Sequence, residues 1–139
     1  MTSNPTEITD ELERLSRALE RIHACWRREL GVSAYELLAL LHLQDGELTI
    51  GELGTRLALS SGAMTGLVDR LEDTGFVERT RSRRDRRRVH VTITASTRDR
   101  LASLRAEIAA QVSGSVDASA AAALGALADR CTTVAEELE

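Results

Sequence analysis

Seven of the ten residues from 79 to 88 are arginines: Arg79, Arg81, Arg83, Arg84, Arg86, Arg87 and Arg88, with Asp85 among them. A guanidinium stays charged at every physiological pH and presents a planar fork of donors that fits phosphate oxygens. Such a run suits binding to a polyanion rather than proton transfer. The chain's net charge of −4 alone would not suggest nucleic acid, but its distribution does. Residues 1–30 sum to −1, residues 31–55 to −4, residues 56–105 to +6 and residues 106–139 to −5. A basic middle between acidic flanks confines an electrostatic footprint to one part of the surface.

Other chemistries are poorly supplied. One Trp, one Tyr and one Phe cannot build the stacking platform that single-stranded nucleic acid needs. Cys25 and Cys131 lie far apart, and His23, His42 and His90 are scattered. That argues against a structural zinc site, a disulfide framework and metal sensing. No Ser-His-Asp order, P-loop or dinucleotide glycine motif is present, so no enzyme and no cofactor are expected. The first residues carry no apolar signal core, and the leucine-rich stretch 37–43 is too short to span a bilayer. A cytoplasmic protein with no membrane partner is expected.

Several elements must position the arginines. Ile8, Leu12, Leu15, Leu19, Ile22 and Trp26 recur at alternating spacings of four and three, a seam on a long first helix that Gly31 ends. Ser33-x-x-Glu36 is a capping box for a second helix over 34–43, apolar nearly all round. Thr49-x-x-Glu52 opens a short third helix through Leu57. Ser60 caps a fourth, which stops at Gly75. Two short helices across a tight turn make a helix-turn-helix. After Gly75 the period changes to two: one strand over 76–80, then Val89, Val91 and Ile93 alternating with polar residues in a second. The arginine run is the loop between them, the wing of a winged helix. Ser96-x-x-Asp99 opens a fifth helix, 113–115 breaks it, and Asp117 starts a last one. That helix carries Ala120, Leu124, Leu127, Cys131, Val134 and Leu138 at heptad spacing.

The expected fold is therefore mostly α with a small β-hairpin wing. Residues 1–32 form an N-terminal dimerisation helix, 33–95 a winged helix-turn-helix, and 96–139 C-terminal dimerisation helices. The terminal seams are buried most simply in a two-fold homodimer. On the fourth helix Met64, Leu67, Val68 and Leu71 face the core. Gly62, Thr65, Gly66, Asp69, Arg70 and Asp73 face away. That second face would enter the major groove of double-stranded DNA. Gly62 and Gly66 leave it nearly bare, either for close approach of DNA or for tight packing inside the motif. Apart from Arg70 its only hydrogen-bonding donors are Ser61 and Thr65, so direct readout has few tools; the cap Ser60 is a further DNA-binding candidate. Two further readings fit part of the pattern: a winged-helix protein-interaction module, and a sequence-tolerant architectural DNA binder.

The stretch LTIGELGTRLALSSGAMTGLVDRLEDTGFVERTRSRRDRRRVHVTIT resembles the MarR family of bacterial winged-helix transcription regulators. The similarity covers roughly residues 30–105. It rests on Val68-Asp69-Arg70-Leu71-Glu72 through Gly75-Phe76-Val77-Glu78-Arg79, and on Asp85-Arg86-Arg87 as a wing-tip D-x-R. The resemblance implies a homodimeric repressor on a pseudo-palindromic operator, with Arg87 in the minor groove and Asp85 orienting it, jointly with Arg70. It also implies a small anionic or phenolic ligand that relieves binding, in a cleft where His23, Trp26 and Tyr35 are candidates. Trp26 and Tyr35 read first as core residues, with a pocket lining as the alternative. Cys131 sits on a seam and reads as core; Cys25 lies near the first helix's end, so the peroxide-sensing chemistry of some members does not carry over. Gly54 stands where the family has alanine, a change expected to loosen the third helix. The family's glycine after the second wing strand is absent from Ile93-Thr94-Ala95-Ser96-Thr97.

Overall fold

The structure, a computed structural model, describes residues 4–81 and 88–138. Helix α1 (Pro5–Leu30) starts at a capping box, Asn4 with Glu7, with proline in the first turn, where its missing N–H costs nothing. Gly31 ends it at φ 71°, the left-handed cap expected of glycine. Helix α2 (Ala34–Leu43) follows its Ser33–Glu36 box. A two-residue strand β1 (Leu48–Thr49) leads into α3 (Ile50–Leu57), capped reciprocally by Thr49 and Glu52. Ala58 takes the left-handed conformation at φ 52° to turn the chain into α4 (Ser61–Asp73), whose cap is the Ser60 hydroxyl. Strands β2 (Val77–Arg81) and β3 (Val89–Ile93) and helices α5 (Ala95–Val112) and α6 (Ala118–Leu138) complete the order.

The sheet has three antiparallel strands in the order β1-β3-β2. Val77 pairs with Ile93 and Arg81 with Val89, while Leu48 pairs with Val91 and Thr49 with His90. The sequence reading missed β1. It also opened the fifth helix two residues late: the Thr94 hydroxyl accepts the Thr97 N–H at 3.3 Å, so Thr94, not Ser96, caps α5. Where the family has a glycine, Thr94 N–H and the buried Thr97 hydroxyl both donate to the Phe76 carbonyl, at 3.1 and 2.8 Å. The turn is thereby fastened to the start of β2.

Two compact units divide the chain, Met1–Arg100 and Leu101–Glu139. In the first, Leu37, Leu40, Leu53, Met64, Val68, Leu71, Val77 and Val91 are fully buried and form the core under the helix-turn-helix and sheet. Arg100 closes one edge: its guanidinium lies 5.4 Å from the Phe76 ring centre and donates to the Glu29 carbonyl at 3.2 Å. In the second unit, one 3-10 turn (Ser113–Ser115) separates α5 from α6, and Asp117 caps α6 by accepting the Ala120 N–H at 2.7 Å. Helix α6 is exposed along its length, with Leu127 alone half-buried. Cys131, expected in a core, is exposed within the single chain. No described helix is long and apolar enough to cross a membrane.

Packing also sets a pH response. Burial, the largest influence, and the charge of Arg56 hold the His42 imidazole below its ordinary value of 6.5, against the opposing pull of Asp45. A base that is harder to protonate when folded lets the unfolded chain take the proton first. Stability therefore falls as pH drops below about 6.5, and levels off once the folded form is protonated too. His42→Gln is expected to flatten the melting-temperature profile across that window. A profile that keeps its slope would place the response elsewhere.

Candidate nucleic-acid interface

Helix α4 is held by its apolar side. Met64, Leu67, Val68 and Leu71 are all buried, as the spacing predicted. The opposite side is exposed at Ser60, Ser61, Gly62, Thr65, Asp69, Arg70 and Asp73. A Cβ added at Gly62 would meet nothing within 4 Å, and one at Gly66 would meet only the Arg70 Nη1 at 3.6 Å. Packing inside the motif therefore does not require either glycine. Gly62→Ala is expected to raise folding stability by up to about 1 kcal/mol and to weaken DNA binding. A variant that gains stability and binds as before would show that this face keeps its distance from the duplex.

Gly54 behaves in the opposite way. It is buried, and an added Cβ would lie 3.1 Å from Met64 Cγ and 3.2 Å from the Leu59 carbonyl. The glycine lets α3 sit close against α4 and the turn, so its helix is gripped at the place where it was expected to loosen.

Two hydroxyls of the face are engaged within their own helix. The Thr65 hydroxyl donates to the Ser61 carbonyl at 2.9 Å, so its proton points into its own helix. The Ser60 hydroxyl accepts the Ala63 N–H at 3.3 Å. Ser61 and Arg70 remain; Arg70 is 63% exposed, its Nε donating to Glu36 Oε1 at 3.0 Å. Partial burial is the largest single influence on the Glu36 carboxyl and pushes it up. The Ser33 backbone N–H, the Arg70 and Ser33 side-chain bonds and the Arg70 charge together outweigh it, and the group rests below its ordinary value.

Arg79, among the candidate DNA contacts, is already engaged within the chain. Its guanidinium bonds Asp69 and Glu72, and its backbone N–H donates to Glu72 at 3.3 Å. The Asp69 bond, against the opposing effect of burial, and the Glu72 bond hold its pKa above the ordinary arginine value. The cation is clamped between two carboxylates of α4. It ties β2 to α4 and offsets one of that helix's two net negative charges. Arg81 is exposed at the end of β2. Arg88, also exposed, lies within electrostatic reach of Glu52, whose carboxyl is held low by Thr49's backbone and side-chain bonds first and by His90 and Arg88 as lesser influences. Arg83, Arg84, Asp85, Arg86 and Arg87 lie outside the described residues.

The candidate ligand residues fall around the junction of α1 and α2. The His23 and Trp26 rings are 5.6 Å apart and tilted, both half-buried, while Tyr35 is 50% exposed and so not a core residue. Cys25 is exposed nearby, with the Arg28 guanidinium 3.2 Å from its sulfur. The described residues contain no group of three side chains that could hold a metal ion.

Two short helices across a tight turn, a bare exposed face on the second, and an antiparallel hairpin behind it define a winged helix-turn-helix. Residues 30–88 match the model of the MarR family. It is similar to the HTH-type transcriptional regulator YcgE of Bacillus subtilis (strain 168), 50% identical over 76 residues that cover 53% of this chain and 49% of that one. It is also similar to the HTH-type transcriptional regulator TtmR of Methylorubrum extorquens (strain PA1), 42% identical over 66 residues, 48% of this chain and 33% of that one. The chain thus spans about half the length of the first and a third of the second. The fold is shared more widely. Streptococcus pneumoniae FabT, solved in complex with DNA, superposes with a TM-score of 0.72 at 19% identity, covering 98% of this chain and all of the other.

Proposed function

We propose that the protein is a sequence-specific DNA-binding transcriptional regulator, a homodimer that occupies a pseudo-palindromic operator and acts as a repressor. The observation that carries this reading is the exposed face of α4, where Gly62 fronts open space and Gly66 lies beside the Arg70 guanidinium. A backbone that bare can approach a major groove closely, and an arginine is the side chain best suited to guanine. The regulators matched over the same region support the assignment. No catalytic role is proposed. The wing arginines add contacts to phosphate and to the minor groove, and these give affinity that falls steeply with salt. A small anionic or phenolic ligand that relieves binding would meet His23, Trp26 and Tyr35.

Selection of random-sequence duplexes by the purified protein tests this directly. The expected product is a short inverted repeat with half-sites about one helical turn apart. Enrichment without a shared motif would replace the reading with an architectural binder. Absence of binding at low salt would replace it with a protein-interaction module.

A further inference from the structure

Glu36 lies outside every residue so far assigned to DNA, yet it holds the one with the best means of reading it. Arg70 is the only cation within α4. Although 34 residues separate the two in sequence, Arg70 Nε donates to Glu36 Oε1 at 3.0 Å. The other Glu36 oxygen, Oε2, accepts the Ser33 N–H at 2.8 Å, and the Glu36 N–H donates to the Ser33 hydroxyl at 3.3 Å. Both carboxylate oxygens are therefore committed, one to the cap of α2 and one to the recognition helix. The Glu36 side chain is 13% exposed, against 63% for Arg70, so the acid is the fixed partner and the guanidinium the presented one.

The point of attachment matters. A guanidinium held at Nε keeps its two Nη groups as an end-on fork. That fork is the geometry that grips two acceptors on one base edge or one phosphate. Nη1 lies 3.6 Å from where a Cβ at residue 66 would stand, so glycine keeps the ground beside the fork clear. A long side chain otherwise samples many rotamers and must lose that freedom on binding, which preorganisation avoids.

We propose that Glu36 is a positioning residue for DNA readout, anchoring Arg70 at Nε so that its end-on fork is presented to the groove. This rests on the DNA-binding reading above. Glu36→Gln tests it, because the amide is neutral and offers one acceptor oxygen where the carboxylate uses two, so the anchor at Nε is weakened whichever partner keeps it. The probes are the inverted repeat selected by the wild-type protein and a scrambled duplex of equal composition. Arg70→Ala is expected to lower the ratio of the two affinities by about fivefold or more. Glu36→Gln is expected to lower it by at least about threefold, with affinity for scrambled DNA held or raised by the loss of one negative charge. The double variant is expected to discriminate no worse than Arg70→Ala, since both act through one fork. Ser33→Ala removes the cap hydroxyl but leaves the Glu36–Arg70 bond, so it should leave the ratio unchanged even if it lowers the melting temperature. Tighter specific binding by Glu36→Gln would show that Glu36 withholds Arg70 instead, and would overturn the proposal. So would an unchanged ratio in Glu36→Gln where Arg70→Ala lowers it, or a matching loss in Ser33→Ala. Failure of the wild-type protein to enrich any repeat would overturn the DNA reading itself, and the positioning role with it.

Discussion

Arg79→Ala is expected to weaken DNA binding by about tenfold, and adding Asp69→Asn and Glu72→Gln to recover most of the loss. Asp69 and Glu72 stand on α4, the helix proposed to enter the groove, and Arg79 bonds both. Removing the guanidinium leaves two uncompensated carboxylates facing a polyanion. Charges within about 10 Å of phosphate are poorly screened at 0.1 M salt. The same change removes a brace between β2 and α4, worth about 1 kcal/mol for a partly buried network of two ion pairs. Neutralising the two acids restores the electrostatics but not a phosphate contact. If Arg79 gripped phosphate instead, the triple variant would stay weak, and the slope of affinity against salt would fall by about one ion. Filter binding across a salt series, with melting curves alongside, separates the two.

Leu124→Asp is expected to turn a dimer into a monomer and to lower operator affinity by about a hundredfold. Leu124, Val134 and Leu138 are exposed on α6 at the spacing of one apolar seam, as are Ile8, Leu15 and Leu19 on α1. A soluble chain seldom leaves two such seams uncovered. Burying a carboxylate in the seam would disrupt a two-fold interface twice, once on each copy. A monomer binds one half-site without the second being tethered close by, which is where the large loss arises. Sedimentation equilibrium reads the mass and titration of the selected repeat reads the affinity. A variant that remains a dimer at micromolar concentration would place the interface elsewhere.

The features that could be read from sequence were the local ones. Capping boxes at Ser33 and Thr49 and the glycine cap at 31 depend on residues three or four apart, and all three are in place. The inward face of α4 followed from its period. A third box at Asn4 and Glu7, beside Pro5, carries the same signal at the start of α1 and went unread. Strand β1 could not be read, because two residues have no period and Leu48 and Thr49 become a strand only by pairing with Val91 and His90. Arg79 was grouped with its neighbours because an arginine run looks uniform in sequence. Its commitment to Asp69 and Glu72 is a tertiary fact, as is the bond between Glu36 and Arg70.

Gly54 has an implication for how this chain can vary. An interior helical glycine is ordinarily a place where alanine is an improvement. Here the methyl of alanine would press on Met64 and on the Leu59 carbonyl, at 3.1 and 3.2 Å. Alanine at residue 54 would therefore require Met64 and the turn at Leu59 to give by a few tenths of an ångström. A larger residue there calls for a matching adjustment at Met64. The two positions should therefore drift as a pair across lineages, a covariation set by the spacing of two helices rather than by any contact with a ligand.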